Sequence, residues 1–387
     1  MSAIRIVHVV YETGTGGTEL GVRKLVNALD GHGFEHTICA VTGRNEWGNM
    51  GPANFVALGC QPGRASFSIP KLARVFHKLR PHVVHSRNWA AIEAIPAARM
   101  ARVPATIHSE HGRDLPDLGR SPWRRRCFRR MCYHLADRVF AVSHALKRHY
   151  ISEMGDVAER LEVIPNGVDV QRFHPDADCR KIIRQQLGVD DQEIVVGSLG
   201  RLDPVKDHGT LLRAAERCIA AGMPIRLLIV GDGSTRIALE REIENSALLR
   251  RRSIFAGEVS DVATWLNAFD VYVLSSLCEG MSNTLLEAMA TALPVIATDV
   301  GGNTEVVEVE HSGLLYETRD VTRLTEHLTC LVQNQGRRRD LGRAARQRVE
   351  SIFSFGFMLE RYSNLYQEVA GRATERGMIR VRNMRSV

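Results

Sequence analysis

At 387 residues the chain is long enough for two domains, each with a core of its own. A composition of 44% hydrophobic, 25% charged and 6% aromatic residues excludes a disordered or low-complexity protein, and no run of eighteen apolar residues is present to cross a membrane. The net charge of +7 favours an anionic partner: a phosphate, a nucleic acid or an acidic membrane surface.

In chain order, the first half alternates short β-rich runs with segments of helical period. The runs are IRIVHVV (4–10), HTICAVT (36–42), FVALG (55–59), HVVHS (82–86), ATIHS (105–109) and RVFAVS (138–143). The first run suits a buried strand better than a signal peptide. After it, Leu20, Val22, Leu25, Val26 and Leu29 form one apolar helix face. The stretch around 166–190 is rich in Asn, Gly, Asp and Pro without periodicity and reads as a linker. A second series follows: EIVVGSLG (193–200), IRLLIVG (225–231), SIFAG (253–257), VYVLSS (271–276), PVIATD (294–299) and GLLY (313–316).

Near-continuous apolar strands alternating with helices predict an α/β protein with parallel sheets covered on both faces. The expected architecture is two doubly wound, Rossmann-like domains facing across a cleft, 1–168 and 169–353. A last helix at 354–371 and a basic tail at 372–387 follow. Ligands of such sheets bind beyond the carboxyl ends of the strands. The eight cysteines make no Cys-x-x-Cys pair, which points to reduced thiols and a cytoplasmic protein.

Gly14, Gly16 and Gly17 follow the first strand, where glycines let backbone amides approach an anion. Glu19 stands where a dinucleotide fingerprint wants its third glycine, which weakens an NAD reading. SPWRRRCFRRMCYHLADRV predicts a basic amphipathic helix near 122–138, suited either to an anionic membrane surface or to plain solvation. The only Asp-x-Asp, Asp176 and Asp178, lies in the linker and has no acidic companion for a metal. GRLDPVK places Arg201 and Lys206 on a loop at a strand end, able to bracket a diphosphate without a metal.

In SLCEGMSNTLLEAMATALPVIATDVGGNTE, Glu279 falls in a strand-to-helix loop and Glu287 about one turn inside the helix, which Ser282 or Asn283 caps. Amides of Gly280, Met281, Ser282 and Asn283 between them suit an anion, and carboxylates at either end accept hydrogen bonds from sugar hydroxyls. The alternative is a Glu287 that only meets the helix dipole.

This pattern resembles the Glu-x7-Glu signature of retaining glycosyltransferases of family 4, which have the GT-B fold. The chain is most similar to bacterial exopolysaccharide and cell-envelope sugar transferases. GTGGTEL, IPNGVD (164–169), GRLDPVK and VGDGSTR (230–236) resemble further family motifs in the same order. The resemblance implies that Glu287 binds the ribose of a nucleotide sugar and Glu279 a sugar hydroxyl. Arg201 and Lys206 would hold the diphosphate, with Gly16 and Gly17 approaching it from the other domain. The base would lie near Gly257 and Val259. No metal or other cofactor is implied.

Many members carry a catalytic histidine after the fifth strand. ATIHSEHGRD offers His108 and His111, and the His-Gly pair favours His111. Ala292 stands where the family usually has glycine. The implied acceptor is a saccharide or lipid-linked saccharide, met at the inner face of the plasma membrane. Two alternatives from other classes are a nucleotide-sugar epimerase and a basic nucleic-acid-binding protein. The first would not need Arg201–Lys206 with Glu279–Glu287, and the second lacks a recognition motif.

Overall fold

A computed structural model describes residues 3–14, 16–43, 53–60, 68–113, 121–375 and 377. By contacts the chain divides into two compact units, Met1–Pro165 with Met358–Val387, and Asn166–Phe357. The loop residues Thr15 and 114–120, and most of the basic tail (376 and 378–387), lie outside the described residues.

The first unit holds a seven-stranded sheet: β1 (Ile4–Val10), β2 (Phe34–Ala40), β3 (Asn54–Ala57), β4 (Val83–Arg87), β5 (Ala105–Glu110), β6 (Arg138–Ala141) and β7 (Glu162–Val163). Their order is β3-β2-β1-β4-β5-β6-β7, with every pairing parallel. The second unit holds β8 (Ile194–Leu199), β9 (Ile225–Val230), β10 (Ser253–Gly257), β11 (Val271–Leu274), β12 (Val295–Thr298) and β13 (Leu314–Tyr316). These run parallel in the order β10-β9-β8-β11-β12-β13. Both orders reverse beside the first strand of their unit, which puts a switch point next to β1 and next to β8.

The two-residue β7 is too short to show as a run in the sequence. The expected linker at 166–190 instead contains a helix, Ala177–Gln186. Its apolar content is small, so periodicity missed it. It is held by charge: Arg180 Nη2 and Arg184 Nη1 donate to Asp270 at 2.7 and 2.9 Å. Asp176 caps this helix, its carboxylate accepting from the amides of Asp178 and Cys179.

The final helix, Phe355–Glu375, begins in the second unit and passes into the first. There Tyr362, Leu365, Tyr366, Val369 and Ala370 pack on Ile6, Val83, Ile107 and Phe140 of the first sheet. Each large apolar side chain buried this way contributes about 1.5–3 kcal/mol. No helix among the described residues is long and apolar enough to cross a membrane.

Candidate functional site

In the second unit the loops of interest leave the carboxyl ends of β8, β9, β10 and β11. Past β8 the chain makes one 3-10 turn, Pro204–Lys206. Lys206 Nζ donates to Glu279 Oε1 at 2.5 Å, and Ser276 Oγ donates to the same oxygen at 2.7 Å. The two loops are sewn together: Leu277 N–H donates to the Val205 carbonyl at 2.7 Å and Ser275 Oγ to the Lys206 carbonyl at 2.8 Å. Arg201 stands apart from this pair. Its Nε lies 2.8 Å from Asp203 Oδ2, and its side chain is 62% exposed. The two cations expected to act together therefore have different partners and different exposure.

The helix after β11 is Asn283–Ala290, capped by Ser282 Oγ, which accepts from the Leu285 amide at 3.3 Å. Glu287 is buried in its second turn. The loop before it is fixed from behind. Gly280 O accepts from Gly302 N–H at 2.9 Å, Met281 O from Asn166 Nδ2 at 3.0 Å, and Ser276 O from Thr298 Oγ1 at 2.6 Å. Gly301 has φ +53°, and a Cβ there would stand 1.8 Å from the Glu279 carbonyl oxygen. Only glycine fits both the left-handed backbone and the close approach. The glycine turn after β12 is thus the wall behind Glu279.

Past β9, Gly231 and Gly233 come against the backbone of Gly200 and Leu202 in the same way. Ser234 Oγ donates to Asp203 Oδ1 at 3.3 Å, tying this loop to the Arg201 turn. Gly257 closes β10 and accepts from Gly231 N–H at 2.7 Å; Val259 follows, half-buried.

In the first unit Gly16 is the N-cap and Gly17 the first residue of the helix Gly17–Leu29. His108 is fully buried in β5, with Nδ1 2.8 Å from Ser86 Oγ and Nε2 3.2 Å from Glu110 Oε1. It is a satisfied core residue. Burial alone would raise the Glu110 carboxyl, but Arg129 at 3.2 Å, with His108 and Tyr133, draws it down to about 2. His111 lies just past β5 and is half-buried. Its Nε2 is 2.9 Å from Ser109 Oγ and its amide donates to Asn88 Oδ1 at 2.7 Å. Burial, then the Arg87 charge, push its imidazole down to about 3.

The arginine-rich helix spans Trp123–Leu135, within the stretch expected at 122–138. Trp123 and Met131 are 64% and 42% exposed beside Arg124 and Arg130. Arg129 is buried together with Cys132 and Tyr133, and Arg125 stacks on Trp89 with its Cζ 4.4 Å from the ring centre. Glu110 and Trp89 supply partners for the guanidinium groups. Sequence reasoning also missed Ser276, Asp203, Arg87 and Ser109. The polar ending HSR of β4, after an apolar run, was the available signal for Arg87.

Residues 180–348 match the family Glycosyl transferases group 1, and residues 15–172 match Glycosyltransferase Family 4. A UDP-Gal:alpha-D-GlcNAc-diphosphoundecaprenol alpha-1,3-galactosyltransferase of Escherichia coli is 30% identical, over 66% of this chain and 67% of its own. A GDP-mannose-dependent monoacylated alpha-(1-6)-phosphatidylinositol monomannoside mannosyltransferase of Corynebacterium glutamicum is 31% identical, over 70% and 72%. Among solved structures, Anabaena HepE in complex with UDP and glucose superposes with a TM-score of 0.80 at 20% identity, covering 94% of this chain and 100% of that one. A Rickettsia africae glycosyltransferase gives 0.81 at 20%, covering 95% and 99%. These likenesses establish the two-domain fold as GT-B.

Proposed function

The chain belongs to the glycosyltransferases whose family 4 and group 1 domains match its two halves, and from that premise we propose a retaining, metal-independent transfer from a UDP- or GDP-linked sugar. The acceptor is the hydroxyl of a lipid-linked saccharide in exopolysaccharide or cell-envelope assembly. The observation that carries this is the joining of Lys206 and Glu279 on two sewn loops at the strand ends, with Glu287 buried one helical turn beyond. The relatives' own names support the donor and acceptor classes: one uses UDP-Gal and a diphosphoundecaprenol-linked sugar, the other GDP-mannose and a phosphatidylinositol mannoside.

Transfer breaks the bond between the anomeric carbon and the diphosphate, and charge builds on the departing oxygens. Lys206 and Arg201 meet that charge, with the amides of Gly280, Met281, Ser282 and Asn283, in the role a metal would otherwise fill. Glu279 holds a hydroxyl of the sugar and Glu287 the ribose, while Gly257 and Val259 flank the base. His111 completes the catalytic set. Two charge-assisted hydrogen bonds to the diphosphate contribute roughly 1.5–3 kcal/mol each.

The exposed Trp123 and Met131, flanked by Arg124 and Arg130, suit an anionic bilayer surface, and we assign that helix to bringing the enzyme to its lipid-linked acceptor. The direct test supplies UDP- and GDP-sugars with a polyprenyl-diphosphate saccharide in excess EDTA. Release of nucleoside diphosphate with a product of unchanged anomeric configuration is expected. An inverted product, or release that requires added metal, would overturn the mechanism.

A further inference from the structure

Arg87 is buried at the end of β4 and forms no ion pair among the described residues. Its Nη2 lies 3.2 Å from His8 Nδ1 and 3.2 Å from His85 Nδ1. A guanidinium only donates, and a terminal nitrogen carries two protons, one for each ring. Both Nδ1 atoms are therefore acceptors, and each neutral imidazole keeps its proton on Nε2.

The polarity then propagates. His85 Nε2–H donates to Ser109 Oγ at 2.9 Å, which leaves the hydroxyl proton to point at His111 Nε2, also at 2.9 Å. His111 must accept at Nε2 and carry its proton on Nδ1. On the other side, His8 Nε2–H donates to His36 Nδ1 at 2.9 Å. Tyr366 OH, 2.9 Å from His85 Nδ1, is able to give or take a proton, so without Arg87 the whole chain is free to reverse. Burial and the Arg87 charge keep His8 and His85 neutral, consistent with one proton per ring.

We propose that Arg87 is a positioning residue which, through His85 and Ser109, fixes His111 as the Nδ1–H tautomer. His111 then serves transfer as a hydrogen-bond donor to a sugar or phosphate oxygen and not as a base. The donor role rests on the assignment of His111 to the active site made above; the tautomer does not.

The test is a long-range proton–nitrogen correlation spectrum of the full chain labelled with ¹⁵N-histidine, with His111 assigned by its loss in His111→Asn. The expected spectrum shows His111 protonated at Nδ1 and bare at Nε2. Arg87→Lys should keep that form and Arg87→Met should lose it. Where Arg87→Met does not fold, Ser109→Ala cuts the same chain one link later and should release His111 toward Nε2–H. A wild-type spectrum with Nε2–H, or no change in the variant that cuts the chain, overturns the proposal.

Transfer assays separate the two claims. An Asn side chain places its amide donor near Nδ1 and a Gln near Nε2, so His111→Asn should retain at least about ten-fold more kcat than His111→Gln. Equal loss in both, with the Nδ1–H spectrum intact, overturns the donor role. Full activity in both removes His111 from the active site altogether.

Discussion

Lys206 and Glu279, 73 residues apart in sequence, share a 2.5 Å ion pair that joins the loop after β8 to the loop after β11. A lysine so engaged must exchange its carboxylate for a diphosphate when a nucleotide sugar arrives. Glu279→Gln should therefore bind the free nucleoside diphosphate several-fold more tightly, by about 1 kcal/mol, because the competing charge is gone. Transfer should fall by roughly two orders of magnitude, as the sugar loses its charged acceptor. Titration calorimetry with UDP and GDP beside turnover measures both; weaker binding in the variant would show that the pair does not compete with ligand.

Glu287 makes a separate test of the donor site. A ligand at about 100 times its dissociation constant stabilises the protein by roughly 2.7 kcal/mol. One of UDP, GDP or ADP should raise the unfolding midpoint without metal, NAD should not, and Glu287→Ala should abolish the rise. A shift with NAD alone would contradict the nucleotide-sugar assignment.

Two left-handed positions should respond in opposite directions. At Gly301, φ +53°, alanine must push into the Glu279 carbonyl, so Gly301→Ala should cost about 3 kcal/mol or more in urea unfolding and disable transfer. At Ala292, φ +57°, the chain already bears a Cβ in this region, and Ala292→Gly should stabilise by about 1 kcal/mol. A destabilised Ala292→Gly would mean that the methyl group's packing outweighs the backbone strain.

Burial holds His36 and, helped by the neighbouring Lys206, His208 down to about 4, and with Arg87 holds His111 to about 3. In the unfolded chain these groups take up protons near 6.5. From pH 6.5 down to about 4 the unfolded state binds more protons, so stability is full above 6.5 and falls as the pH falls. By pH 4 each of the three rings should account for a loss of about 3 kcal/mol, at about 1.4 kcal/mol per pH unit. Denaturant midpoints measured from pH 7.5 to 4 check it, and a flat profile would refute neutral burial of these rings.

Trp123 supplies its own reporter for membrane docking. Vesicles with anionic lipid should blue-shift its fluorescence and neutral vesicles should not. Charge reversal at Arg124 and Arg130 should abolish binding while leaving transfer to a water-soluble acceptor intact. Equal binding to neutral vesicles would remove the electrostatic part of the assignment.

Strands that are largely apolar on both faces, such as Ile4–Val10 and Ile225–Val230, are plain in the sequence, because a covered parallel sheet buries both of their sides. The start of the helix at Asn283 is equally plain from Ser282. What periodicity does not carry are pairings between distant residues. Arg129 looks like solvent-facing charge until Glu110 and Trp89 are beside it, and the helix Ala177–Gln186 is hidden until Asp270 supplies its anchor. Nor does any spacing announce the Lys206–Glu279 bond, which exists only once two strands lie side by side.

The last helix gives the protein a fixed order of birth. Residues of the second unit are complete once Phe357 has left the ribosome, whereas the first sheet still lacks Tyr362 and Tyr366, which cover Ile6, Val83 and Phe140. The half of the chain made first must wait, with one face of its sheet unroofed, for the half made last. A chain stopped after Phe357 carries every residue of the second unit but lacks the helix residues that cover the first sheet.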